Sequence, residues 1–295
     1  MPSGADAVLP AEKVSRDGNV LSVFDEVPPE KHVGKVGEDI QTGAVVLPAK
    51  RRLRPQDLGV LSSIGCAEVE VVREPVVRLL ITGDELCPAG TKPNSHQTVD
   101  ANSPMLAALV ARDGGRLQFD GILPDRPELI REAMSDESAD VVLVSGGSSV
   151  GQEDHAPRIL SELGELPIHG VAMRPSSPTG MGRIGQRLVF LLPGNPVSCL
   201  CAYDFFAGRA IRRLGGRDGD WPYAARRGKL VRKISSVVGR QDYARVAVDG
   251  TDVDPIAIAG ASILSSTSRA DGFVVVPADS EGYPPGAEVL VYLYD

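Results

Sequence analysis

The chain is poor in cysteine, in aromatic residues and in positive charge. Its 295 residues hold four cysteines, Cys66, Cys87, Cys199 and Cys201. They are too scattered for a disulfide framework. Cys199-Leu200-Cys201 falls in a predicted helix, where positions two apart do not share a face. All four are therefore read as buried small apolar side chains. The four histidines lack zinc spacing; His155 borders an acidic loop, where ligand contact and a solvated helix start are both open. Lys and Arg number 31 against 39 Asp and Glu, a net charge of −8. That balance weighs against a nucleic-acid groove, and no basic run with interleaved aromatics occurs. An anionic ligand needs only local positive charge and stays possible. No apolar run approaches the ~20 residues that span a bilayer. Met1-Pro2-Ser3-Gly4-Ala5-Asp6 has neither the basic start nor the apolar core of a secretory signal. The expectation is a soluble cytoplasmic protein with no membrane and no nucleic-acid partner.

Glycine, by contrast, is abundant and pointedly placed. Val141-Val142-Leu143-Val144 reads as a strand buried on both faces. It runs into Ser145-Gly146-Gly147-Ser148-Ser149-Val150-Gly151 and then Asp154, ahead of a predicted helix 156–163. Glycine lets backbone N–H groups approach an anion closely, and the hydroxyls add donors. A carboxylate beside such a loop suggests a phosphate held with a metal ion. A tight strand-to-helix turn without ligand is the alternative. Other strands end in comparable clusters. Val76–Ile81 leads to Thr82-Gly83-Asp84-Glu85-Leu86; Arg187–Leu191 leads to Pro193-Gly194-Asn195-Pro196; Arg116–Phe119 leads through Gly121 to Asp125. In an open parallel sheet the carboxyl ends of the strands form the ligand crevice. Glu85, Asp125, Asp154 and the glycine loops should then share one rim. Bland roles compete: Asp125 could cap the helix 127–134, Asp84 and Glu85 could cap the segment after their strand, and Pro193–Pro196 could be a turn that opens a helix.

The alternation predicts an α/β fold: a central three-layer α/β/α domain with a mostly parallel sheet over 74–216. Ser103-Pro104 opens one helix there, with Ser103 as cap and Leu106, Leu109 and Val110 inward. Another helix runs from Pro196 to about Arg213 and stops at Gly215-Gly216. Small β-rich domains flank it, 1–73 and 217–295, with short strands punctuated by Gly and Pro. Pro55–Ile64 is a short helix in the first, and Ala5–Leu9 reads as a strand already under way. Gly180-Met181-Gly182-Arg183-Ile184-Gly185 fits the dinucleotide fingerprint, but it precedes a strand and is read as a turn between strands. No Walker A pattern occurs.

Taken together, these motifs resemble the molybdopterin molybdotransferase family, typified by bacterial MoeA and the E domain of gephyrin. Further anchors are Gly37-Glu38-Asp39-Ile40, His169-Gly170-Val171-Ala172-Met173-Arg174-Pro175, Gly239-Arg240 with Arg245, and Arg269-Ala270-Asp271-Gly272. The resemblance spans the whole chain and implies a molybdopterin-binding central domain. It also implies insertion of molybdate into adenylylated molybdopterin with release of AMP, assisted by Mg²⁺. A homodimer is implied, and a molybdopterin adenylyltransferase acting one step earlier is an implied partner. By matching positions, Asp154 would be the metal carboxylate, with Glu85. Glu85, Asp125 and Asp39 would line the cleft and position water or cation. Thr82, Gly83, Ser145, Gly146, Gly147, Ser148, Pro193, Gly194 and Asn195 would hold the nucleotide and pterin parts. Arg174, Arg245 and Ser262 match positions implicated in substrate or molybdate binding. Arg245 also has a bland reading as a solvated surface charge.

Two departures from the family pattern stand out. After Met173 the family usually has Lys-Pro-Gly-Lys-Pro, whereas this chain reads Arg174-Pro175-Ser176-Ser177-Pro178. One cation becomes arginine, whose planar fork is not equivalent to an ammonium, and the other becomes a neutral serine. The chain also starts inside what the family builds as its second domain. These departures motivate the alternative of a catalytically impaired pterin- or nucleotide-binding paralogue acting as cofactor carrier or partner subunit.

Overall fold

Short apolar stretches broken by Pro and Gly build few strands, and the first part of the chain shows this. The computed structural model describes residues 1–49, 51–146 and 155–294. They fall into two compact units, Met1–Ala67 and Glu68–Asp295. Among the described residues the first unit holds a 3₁₀ turn (Ala11–Lys13), a hairpin of β1 (Val14–Asp17) with β2 (Val20–Val23), turned at Gly18, and a helix, α1 (Pro55–Ser63). In α1 the buried Asp57 accepts from the Arg54 N–H at 2.9 Å and from the Arg51 guanidinium. The expected strand Ala5–Leu9 is not formed. Among the described residues, two backbone bonds join it to the facing segment, Val8 N–H to Lys31 O and Glu30 N–H to Asp6 O. Pro10 on one side and Pro28-Pro29 on the other lack the N–H groups that would extend a ladder.

In the second unit the elements follow in order: β3 (Val76–Thr82), β4 (Leu86–Cys87), β5 (Thr98–Val99), α2 (Asn102–Arg112), β6 (Arg116–Gln118), β7 (Ile122–Leu123) and α3 (Pro127–Ser135). Then come β8 (Val141–Ser145), α4 (His155–Leu163), β9 (Glu165–His169), β10 (Met173–Arg174), β11 (Gly180–Ile184) and β12 (Arg187–Leu192). A helix follows in three parts, α5 (Pro196–Ala202), a π segment Tyr203–Ala207, and α6 (Gly208–Leu214). The sheet order is β6-β3-β8-β12-β11-β9, with β7 also on β3. Strands β6, β7, β3, β8 and β12 run parallel, and β11 is antiparallel to both neighbours.

Near-continuous apolar strands need cover on both faces. Leu106, Val110, Cys199, Ala202 and Ile211 pack on one face against Leu79, Ile81 and Leu143. Ile130, Met134, Ile159 and Leu160 pack on the other against Leu80, Val142 and Val144. The result is the three-layer α/β/α arrangement.

Three local expectations change. Within the glycine-rich segment 180–185, Gly180–Ile184 is strand β11, and Gly185-Gln186 turns into β12. Glycine is needed there because a side chain at Gly182 would collide with the Glu165 carbonyl of β9. Ser103 does not cap α2. The cap is the Asp100 carboxylate, which accepts from Asn102 N–H at 2.8 Å, from Ser103 N–H at 3.1 Å and from the Ser103 hydroxyl. Cys66 is only half-buried, unlike the other three cysteines.

The remainder comprises β13 (Ala224–Leu230), β14 (Ile234–Ser235), β15 (Gln241–Asp249), β16 (Asp252–Ala257), α7 (Ser265–Ser268), β17 (Gly272–Val276), β18 (Gly282–Tyr283) and β19 (Glu288–Leu293). Strand order β15-β16-β13-β19-β17 returns to β15, closing a small barrel, and β10 adds to β15. Closure removes the exposed edges that short β domains would otherwise carry.

Candidate functional site

The first cleft, about 800 Å³, opens at the carboxyl ends of the central strands. Three loops build it. After β3, Gly83 sits at φ +154° and lets the chain turn so that Leu86 N–H bonds Gly83 O, 3.1 Å, with Glu85 at the cleft wall. After β7, the Asp125 N–H is held by the Asp84 carboxylate at 3.1 Å, joining two acidic loops. Asp125 lines the cleft, and α3 has no side-chain cap bond, so the capping role considered for Asp125 is not what the structure shows. After β8, Gly146 takes φ +98° and lies so close to Thr82 that a Cβ would collide with the Thr82 carbonyl. Any side chain at Gly146 would close the floor.

The third wall comes from the β12 end. Pro193, Gly194 and Asn195 line the cleft, and a Cβ on Gly194 would touch Gly146 Cα at 3.8 Å. The C-terminal barrel reaches over to complete it. Ser262 Oγ donates to Asn195 Oδ1 at 2.7 Å, and Val197 N–H donates to Ala261 O at 2.9 Å. Thr82, Glu85, Asp125, Ser145, Gly146 and the Pro193-Gly194-Asn195 turn thus meet, with Ser262, in one place. Gly83 shapes the turn without lining the cleft. Gly147, Ser148 and Asp154 lie outside the described residues. Asp39 is exposed within the unit Met1–Ala67.

The sequence did not flag Asp100 and Asn102, which also line this cleft. Asn102 ties two loops together, its Nδ2 donating to Gly194 O at 2.7 Å and to Ser145 Oγ at 3.0 Å. Behind Ser145, burial pushes the Cys199 thiol up to about 12, its contact with the Ser145 hydroxyl opposing this only partly. A thiol so held stays protonated and packs in the core behind the cleft rather than acting as a nucleophile. Two buried polar atoms, Thr82 Oγ1 and Asn102 Oδ1, have no hydrogen-bond partner among the described residues. Each such atom costs about 1–3 kcal/mol unless a ligand satisfies it. Acidic side chains line the cleft while no Lys or Arg does, among the described residues.

A second cleft, about 600 Å³, shares Pro178, Pro193 and Asn195 with the first. Arg174 and Arg240 line it, both paired to the fully buried Asp242, Arg240 at 3.1 Å. Ser177, which stands where the family has its second lysine, lines the same cleft as Arg240, itself one of the family anchors. Ser176 stands where the family has glycine and takes φ +98°. Its hydroxyl donates to Ser198 O at 2.6 Å.

Arg245 is not a solvated surface charge: it is fully buried in the barrel wall. One amino group bonds Ala259 O, while Nε and Nη1 have no partner among the described residues. Burial pushes its pKa down. A sequence could flag the arginine but not its enclosure, which depends on Ala259, fourteen positions on.

Comparison with known proteins agrees with this architecture. Residues 78–213 match the family described as a probable molybdopterin binding domain. Residues 1–65 match the MoeA N-terminal region (domain I and II), and 227–294 the MoeA C-terminal region (domain IV). The molybdopterin molybdenumtransferase of Haemophilus influenzae is 29% identical over 99% of this chain and 74% of its own length. Molybdopterin molybdenumtransferase 1 of Mycobacterium tuberculosis is 30% identical over 99% of this chain and 71% of its own. A crystal structure of a molybdopterin biosynthesis MoeA protein from Pyrococcus horikoshii aligns with TM-score 0.80 at 32% identity, covering 99% of this chain and 73% of that one. With three matched regions in order and a shared fold, the chain belongs to the MoeA family.

Proposed function

We propose that this protein is a molybdopterin molybdotransferase, inserting molybdate into adenylylated molybdopterin and releasing AMP in molybdenum cofactor biosynthesis. The observation that carries this is the meeting of the Thr82, Asp125, Ser145, Gly146 and Gly194 loops in one cleft, continuous with a second cleft bearing Arg174 and Arg240. Breaking a phosphoanhydride beside molybdate gathers negative charge, so preorganised donors and cations lower the barrier most. Hydroxyls of Thr82 and Ser145 and the backbone at Gly146 and Gly194 suit the phosphate and ring parts in the first cleft. Arg174 and Arg240, which line the second cleft, suit an oxyanion on the barrel side, with Ser262 at the wall of the first. The similarity to molybdopterin molybdenumtransferases over nearly the whole chain supports a working enzyme over an impaired carrier.

The first cleft carries carboxylates and, among its described lining residues, no cation. An anionic ligand there needs a positive ion, and hard oxygen donors such as Glu85 and Asp125 fit Mg²⁺. That ion characteristically takes one or two carboxylates and completes its shell with water and phosphate oxygens. Glu85 and Asp154 would hold the ion, which would neutralise charge on the phosphates. Asp125 would position water or cation.

The wider proposal comprises the three-part division 1–73, 74–216 and 217–295, a cytoplasmic homodimer, and receipt of substrate from a molybdopterin adenylyltransferase. No helix among the described residues is long and apolar enough to cross a membrane. The test is AMP release from adenylylated molybdopterin with molybdate and Mg²⁺. The protein should turn over, and Glu85→Gln and Asp154→Asn should each lower the rate about 100-fold or more. No release above the enzyme-free control would overturn the proposal, and unaltered rates in both variants would overturn the roles given to these carboxylates.

A further inference from the structure

The floor of the first cleft shows which edge of a ligand it reads. Asn102 has its amide orientation dictated by chemistry: the Gly194 carbonyl, 2.7 Å away, can only accept, so the group facing it is the NH₂. The second amide proton goes to Ser145 Oγ. Both donors are spent, and Oδ1 is left as a buried acceptor with no partner among the described residues. Asp100 fixes the backbone beneath it through the Asn102 N–H. The Thr82 hydroxyl, also buried and without a partner among those residues, lines the same cleft across Ser145 and Gly146. Ile81, Leu86, Val99 and Leu264 add apolar walls. Such walls suit the face of a planar ring better than a sugar or a phosphate.

We infer that Asn102 is a specificity-determining residue: its Oδ1, with the Thr82 hydroxyl that lines the same cleft, accepts hydrogen bonds from the N–H edge of a fused nitrogen heterocycle. This rests on the proposed function, in which the ligand carries two such heterocycles, a pterin and an adenine. The Nδ2 side holds the two loops in place, while the Oδ1 side discriminates. A ring presenting a carbonyl at that edge would set acceptor against acceptor and leave the buried oxygen unpaired.

The experiment compares binding of pterin with lumazine, which has a carbonyl in place of the 2-amino group, and of AMP with IMP, which has one in place of the 6-amino group. Calorimetry on the intact protein should favour the amino member of one pair by about tenfold or more, and the pair that discriminates identifies the heterocycle. Asn102→Ala should bring that ratio close to one, even where loosened loops weaken both ligands. Thr82→Val, which leaves the Asn102 tether intact, should lower the ratio in part. A merely structural Asn102 would weaken both members equally and keep the ratio. Ratios near one in both pairs for the unaltered protein overturn the inference, as does a ratio that survives Asn102→Ala, or failure of all four compounds to bind at millimolar concentration. AMP release is measured separately. Release with no discrimination sinks only the inference, while discrimination without release sinks only the proposed reaction.

Discussion

Ser176 shows how one residue can be both strained and retained. A non-glycine residue at φ +98° is costly, by about 1–2 kcal/mol in left-handed backbone, while its buried hydroxyl bond to Ser198 O returns about 1 kcal/mol. Ser176→Gly should therefore lie close to the parent in stability, because it loses the bond but relieves the strain. Ser176→Ala loses the bond and keeps the strain, so it should unfold about 1–2 kcal/mol more easily than the glycine variant in urea titrations. Equal stability of the two variants would show that the backbone here is unstrained. The sequence exposed the substitution of the family's glycine. It could not show that Ser198, on the facing helix, takes up the hydroxyl. Asn102 is similar: its neighbours in the sequence suggest a helix start, and its partners lie 43 and 92 positions away.

At the level of elements, the strands and helices around the cleft were legible because their apolar patterns are strong. β3, β8 and β12 are near-continuous apolar runs, broken inside only by Arg78 of β3, and α3 and α4 are amphipathic. The glycine-rich β11 was not legible, since its glycines answer to the close approach of β9, a tertiary demand. The opposite end of the sheet is pinned by Asp140. It receives the Arg73 guanidinium and the Val76 N–H at 2.8 Å, joining the start of β3 to the start of β8. The Arg73 hydrogen bonds lead in holding its carboxyl below the ordinary value, against the opposing effect of burial. A carboxyl with a lowered folded pKa adds stability that is complete above its unfolded value of about 3.9. That stability is lost as pH falls through the folded value. Asp140→Asn should thus melt several degrees below the parent at neutral pH, with the gap closing in acid below about pH 4. Thermal melts at the two pH values decide this, and a gap that persists in acid would mean the carboxylate charge is not what matters.

Across the whole molecule, scarcity becomes concentration. Phe205, Trp221, Tyr223, Tyr243, Phe273 and Tyr292 gather where the π segment meets the barrel, within one apolar cluster. Arg112 crosses the same seam, pairing with Asp113 and Asp204, while the Tyr223 hydroxyl donates to Asp204 at 2.8 Å. Burial pushes the Asp204 carboxyl up, with Arg112 opposing it. Central domain and barrel are thereby packed as one body, which lets Ser262 and Leu264 reach the cleft. In the unit Met1–Ala67 the hairpin leaves Val20, Leu21, Val23 and Phe24 exposed. If the proposed homodimer uses this face, Leu21→Asp with Phe24→Asp should convert a dimer to a monomer in sedimentation velocity. A parent that sediments as a monomer would end the dimer proposal, and a double variant that stays dimeric would clear the hairpin of that role.

The sequence by itself determined the layered sheet and the rim on which Thr82, Glu85, Asp125, Ser145 and Gly194 gather. Hydrophobic periodicity and glycine placement are local properties, and chain ends of parallel strands must lie together. The tertiary structure alone decided which polar groups pair and which stay unsatisfied. Arg174 and Arg240 sharing Asp242, Arg245 enclosed by the barrel and Asn102 tethering two loops all join positions far apart along the chain, where packing and not local preference sets the partner.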